Sequence, residues 1–163
     1  MQERILVAYA TKHGSTREVA ERIGELTGGD VRSARAVDSL ERYGAVVLGG
    51  ALYMSRWHKD AHRFLKRFES ELGERPLAVF ALGPIGQEPV DATQARGQLD
   101  KALADHPAVR PVAVEIFGGR IDPTQLRFPF SRLEAADSRD WDAIERWAAE
   151  LPQLLRPRLP VPV

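Results

Sequence analysis

Residues 4–20, RILVAYATKHGSTREVA, pass from an apolar run through a short polar loop into a helical pattern. The loop TKHGST sets the hydroxyls of Thr11, Ser15 and Thr16 around Gly14, just ahead of a helix whose first amides have no partner within the helix. Hydroxyls and unpaired amides at a helix N-terminus form an anion site, with Lys12, His13 and Arg17 at its rim. The simpler alternative is that Ser15 or Thr16 only caps the helix. The order of residues matches neither GxxxxGK[ST] nor GxGxxG, which disfavours a nucleoside triphosphatase and a dinucleotide enzyme.

Two further stretches end apolar runs in the same way. GGALYMSRWHKD, residues 49–60, offers Ala51, Leu52, Tyr53, Met54, Ser55 and Trp57 behind two glycines that let backbone approach closely. Its aromatic rings either stack on a flat ligand or cover the core beneath the next helix. GPIGQEPVD carries Gly83, Pro84, Ile85 and Gly86, a chain suited to wrapping a ligand edge or to an ordinary turn. A phosphate at one loop and a planar ring at the other two is the combination these stretches suggest. His58 and His62 lie one helical turn apart without a third ligand, so exposed helix residues are expected there rather than a metal site. No Ser/His/Asp set is present, no catalytic side chain is assigned, and the absence of cysteine removes thiolate chemistry.

The elements that must position these loops follow from periodicity. Ile5–Tyr9, Val31–Val37, Ala45–Gly49, Leu77–Leu82 and Val112–Phe117 read as five strands, the second as a half-wet edge because Arg32, Ser33 and Arg35 interrupt it. AVVLGG and LAVFALG are apolar at consecutive positions, as parallel strands covered on both faces require. Between them, Val19, Ala20, Ile23 and Leu26, then Ala61, Phe64, Leu65, Phe68 and Leu72, fall at helical spacing. Asp91 and Asp140 read as caps of two later helices, the last striped by Trp141, Ile144, Ala148, Leu151 and Leu155. Right-handed crossovers between such strands give an α/β doubly wound parallel sheet, of flavodoxin-like order 2-1-3-4-5 or a truncated Rossmann order. Both orders place a ligand beyond the carboxyl ends of the strands, where the first loop lies.

The chain has 163 residues, 44% of them hydrophobic, which suits one domain over residues 1–155 followed by a Pro-rich tail, 156–163. Lys plus Arg and Asp plus Glu both number 23, so a general nucleic-acid affinity has no support in composition. No signal-peptide core or spanning stretch is visible, and a cytoplasmic protein is expected.

The run of strand, TKHGST, helix and GGALYMSRWHKDAHRFLKRF resembles the flavodoxin-domain family, and the closing DWDAIERWAAEL is similar too. Within that family the Trp57-His58 region looks most like the menaquinone-dependent protoporphyrinogen oxidase branch. The resemblance implies FMN as cofactor. Thr11, Lys12, His13, Gly14, Ser15 and Thr16 would then hold its phosphate, Ala51 to Ser55 and Trp57 would lie beside its ring, and Gly83 to Gly86 would edge it. His13 stands where the family usually offers a hydroxyl, and the third loop lacks an aromatic.

Residues 118–140, GGRIDPTQLRFPFSRLEAADSRD, form a connection longer than an ordinary turn. Arg120, Arg127, Phe128 and Arg132 mix cations with an aromatic, which suits an acidic substrate, a quinone or peripheral contact with an anionic membrane surface. The expected function is an FMN-dependent oxidoreductase passing electrons from a reduced small molecule, a porphyrinogen among them, to a quinone or protein acceptor. The alternatives are a plain electron carrier and an interaction domain without cofactor.

Overall fold

The computed structural model describes residues 4–11, 14–53, 56–83, 92–118, 120–121, 136–137 and 139–156. Its elements are β1 (Arg4–Ala10), α1 (Ser15–Thr27), β2 (Asp30–Ser33), a 3-10 turn (Ala34–Ala36), β3 (Tyr43–Tyr53), β4 (Arg56–Trp57), α2 (Lys59–Arg67) and α3 (Glu69–Leu72). They continue with β5 (Leu77–Leu82), α4 (Ala92–Ala104), β6 (Ala113–Phe117), β7 (Arg120–Ile121), β8 (Ala136–Asp137) and α5 (Trp141–Leu154). The five long strands run parallel in the order β2-β1-β3-β5-β6. Counted among themselves, these strands have the expected flavodoxin-like order, and β4 is only a short antiparallel return onto β3.

Strand alternation divides the core in two. Leu6, Val46, Leu48 and Val79 face α2 and α4, where Phe64, Leu65 and Leu99 meet them. Their neighbours Val7, Val47, Ala78 and Phe80 face the other way, onto Val19 and Ile23 of α1 and Ile144, Ala148 and Leu151 of α5. Helices therefore cover both faces of the central strands, which is why those strands carry apolar residues at every position. Arg22 of α1 ties the second layer together, reaching Glu145 of α5 at 2.8 Å.

Three elements differ from the sequence expectation. The second strand stops at Ser33, because Ala34 and Val37 turn inward to bury their side chains and the chain between them coils into the 3-10 turn. The helix expected through Leu72 breaks at Phe68 (φ −106°, ψ 20°), where burial of the ring against Phe64, centroids 4.9 Å apart, redirects the chain. The third strand runs on to Tyr53 and folds back as a hairpin, pairing Leu52 with Trp57 and Tyr53 with Arg56. Asp140 caps α5 as expected, its carboxylate accepting the Ala143 amide at 3.1 Å. Asp91 and the tail from 157 onward lie outside the described residues.

Candidate functional site

The order β2-β1-β3 makes β1 and β3 the strands at which the chain reverses its direction of winding. The loops leaving their carboxyl ends must therefore diverge, one toward α1 and the other toward α2, and a crevice opens between them. The loops after β1, β3 and β5 all emerge at this end of the sheet.

The first loop closes on itself before the helix begins. Thr11 Oγ1 accepts the Gly14 amide at 3.1 Å, and Gly14 takes φ 86°, a left-handed conformation that glycine adopts without steric cost. Gly14 is the residue at the helix cap, and with no side chain it supplies no capping oxygen. The first intrahelical bond is from the Glu18 amide to Gly14 O, 3.2 Å, so the amides of residues 15–17 have no intrahelical acceptor. Thr16, one residue inside the helix, is fully buried, and its Oγ1 makes no hydrogen bond among the described residues. A buried hydroxyl without a partner costs roughly 1–3 kcal/mol, which a structure retains when a ligand supplies that partner. Among the described residues Thr16 Oγ1 therefore caps no amide of the helix.

The second loop is the hairpin of β3 and β4. Its ends are locked by the His58 amide donating to Ala51 O at 3.0 Å, and its tip, Met54 and Ser55, lies outside the described residues. Leu52 is buried and Ala51 half-buried. Trp57 is only 3% exposed and lies flat on Gly50, where an added Cβ would stand 2.5 Å from its indole nitrogen. Its ring covers the core beneath α2 rather than opening into the crevice. Trp57 thus holds the hairpin in place from below.

In the third loop, Gly83 is buried and its amide donates to Phe117 O at 2.7 Å, fixing the exit of β5 to β6. Lys12, His13, Pro84, Ile85, Gly86, Arg127, Phe128 and Arg132 lie outside the described residues. The long connection is closed at its base, where Arg120 and Ile121 pair antiparallel with Asp137 and Ala136.

The histidines are not the exposed helix residues that spacing suggests. His58 caps α2, its Nδ1 accepting the Asp60 amide at 3.0 Å, which requires that nitrogen to be unprotonated. His62 meets His106, a residue that sequence reasoning passed over, with Nδ1 and Nε2 2.9 Å apart. They stand 44 positions apart in sequence, so no local spacing could have paired them. His62 also sets its ring edge-on to Trp57, centroids 5.7 Å apart, and so supports the hairpin at one remove. Among the described residues no group of three or more metal-ligating side chains is assembled.

Burial and then the positive field of His62 push the His106 imidazole below its ordinary value, with Lys66 acting the same way and Asp105 and Glu69 opposing. A base with a lowered folded-state value binds fewer protons folded than unfolded. Its contribution is therefore fully present above the ordinary imidazole range near pH 6.5 and is lost as pH falls below it. Thermal unfolding followed from pH 8 to pH 5 (roughly the imidazole range) should show Tm falling toward acid. In His106→Gln, whose amide nitrogen can still meet His62, that acid-side fall should shrink.

The flavodoxin-domain model matches residues 6–133, most of the chain and all three loops. The chain belongs to the flavodoxin-domain family. No curated protein matches it in sequence at a significant level. Among solved structures, a mutant flavodoxin from Pseudomonas aeruginosa superposes with TM-score 0.57 at 17% identity, covering 93% of this chain and 98% of that one. The Fusobacterium nucleatum flavodoxin bound to flavin mononucleotide gives TM-score 0.57 at 15% identity, covering 95% and 100%. A flavoprotein from Lactobacillus acidophilus in complex with FMN gives 0.54 at 10%, covering 71% and 93%. These likenesses establish the flavodoxin fold over nearly the whole chain. The crevice after β1 and β3 is thus the carboxyl-end crevice of a flavodoxin domain.

Proposed function

We propose that this flavodoxin-domain protein binds FMN in the crevice and works as an electron carrier. The observation that carries the reading is the buried, unpartnered Thr16 Oγ1 beside the open amides of α1. A phosphate seated there accepts from the hydroxyl and from two or more amides while the helix dipole favours its charge. Apart from its two chain neighbours, no described residue lies within 4 Å of where a Gly14 Cβ would be. The donor set therefore fits a phosphate monoester.

In this reading Thr11 shapes the loop, Gly14, Ser15 and Thr16 hold the phosphate, and Lys12 and His13 lie at its rim. The hairpin from Ala51 to Ser55 and the segment from Gly83 to Gly86 flank the ring. Tyr53 borders the ring, and Trp57 supports the hairpin from the core. When bound, FMN supplies reversible electron transfer, and the protein's share is to orient it and shield it from water. No acid–base pair is required, which suits a carrier. The cysteine-free composition suits a reducing, cytoplasmic setting.

The oxidase-like reading rests on the sequence resemblance alone, and it differs in its test. Purified apoprotein titrated with FMN should quench flavin fluorescence to an equivalence point of one. Unchanged fluorescence overturns the flavin reading and favours the interaction domain. The loaded carrier should then be reduced by a flavodoxin reductase with its nicotinamide and should turn over no small donor by itself. Oxidation of protoporphyrinogen with a quinone acceptor would instead establish the oxidase activity and a small-molecule substrate.

A further inference from the structure

The whole chain is electrically neutral, yet its charge is unevenly placed. Residues 56–67, RWHKDAHRFLKR, hold five cations, Arg56, Lys59, Arg63, Lys66 and Arg67, against one acid, Asp60. All five cations are exposed, whereas Asp60 is 7% exposed and so contributes little to the outer field. Arg35, from the turn after β2, joins the same face, since it and Arg63 approach the Asp60 carboxylate at 3.9 and 3.7 Å. Arg35 and Arg63 are 76% and 71% exposed, and their charge remains available to solvent.

Some of these residues have internal duties and some do not. Arg67 donates to the carbonyls of Val37 and Asp38, which pins the connection into β3. Arg56, Lys59 and Lys66 form no ion pair among the described residues. Lys59 is also the first residue of α2, the end of a helix where the dipole disfavours a cation. These unpaired charges add to the outward positive field of this face.

We propose that α2 and its approach, Arg56 to Arg67, are a docking surface for an acidic face of another protein. The apolar residues of this segment, Trp57, Ala61, Phe64 and Leu65, are all buried, so nothing projects through the patch that could enter a lipid layer. α2 spans nine residues, about 14 Å, and the chain as a whole carries no net charge, so its basic face is a local patch rather than a general nucleic-acid surface. The patch begins directly at the hairpin that flanks the crevice, so an acidic partner seated on it stands beside the ligand. That the partner exchanges electrons rests on the flavin reading; the docking does not.

The probe is a small, strongly acidic ferredoxin titrated into the isotopically labelled full chain and followed by amide chemical shifts. At low salt, shifts should concentrate at residues 56–67, and raising ionic strength to about 0.15 M should weaken binding markedly. Lys59→Glu/Lys66→Glu, which leaves Arg35, Arg63 and Arg67 to their internal contacts, should weaken it roughly tenfold or more while FMN titration is unchanged. Shifts that persist when FMN fails to bind would support the surface and remove its redox role. Equal ferredoxin affinity in the variant, shifts confined to other elements, or binding only to phosphatidylglycerol vesicles or to duplex DNA would each overturn the proposal.

Discussion

Thr16→Val should weaken FMN binding by roughly 10- to 100-fold, the loss of one hydrogen bond to a charged group worth about 1.5–3 kcal/mol. The same substitution should leave thermal stability unchanged or slightly raised. Valine has nearly the shape of threonine, and at this position it removes a fully buried hydroxyl that has no partner among the described residues. The two readouts therefore move in opposite senses, which separates a ligand contact from a packing contact. Fluorescence-quenching titration and thermal denaturation on the same preparations measure both. Unaltered FMN affinity with lowered Tm would assign Thr16 to the core and remove the phosphate cradle.

Gly49→Ala is expected to have the largest effect on folding. Gly49 pairs in register with Phe80 on the neighbouring strand, and a Cβ there would stand 2.0 Å from the Phe80 ring. That ring cannot swing aside, because Phe117 and Trp147 close on it with centroids 6.1 and 5.9 Å away. The substitution should cost about 3 kcal/mol or more, the upper range for overpacking in a filled core. Phe80→Leu in the same chain should recover part of that loss, and a double-mutant cycle in denaturant would measure the coupling. Additive effects of the two changes would show that Gly49 is not held to glycine by Phe80.

Gly50, the next residue, faces the opposite layer and makes the same allowance for Trp57. The pair of glycines in AVVLGG thus serves two rings on two faces of one strand. In sequence the pair signals close backbone approach, but what approaches is the protein's own aromatic side chains.

The sequence by itself determined the kind of fold. Consecutive apolar residues in β3 and β5 demand cover on both faces, and the spacing of Val19, Ala20 and Ile23, or of Ile144, Ala148 and Leu151, supplies helices to provide it. These are short-range periodicities, and their meaning does not depend on the rest of the chain. The loop after β1 was legible for the same reason, because hydroxyls, a glycine and a helix start are adjacent in sequence.

Tertiary structure decided which member of each set does what. Thr11 and Thr16 look alike in TKHGST, yet Thr11 closes the turn while packing buries Thr16 Oγ1 without a partner among the described residues. Trp57 reads in sequence as a ligand platform beside the first loop, and the return of β4 lays it on Gly50 within the core. His62 and His106 meet only because the sheet order brings α2 beside the end of α4. The basic face of α2 exists as a field only because folding buries the one carboxylate of its segment and leaves five cations in water. Local spacing fixes which elements form, whereas burial, which sets the worth of every polar group, depends on contacts between residues far apart in the chain.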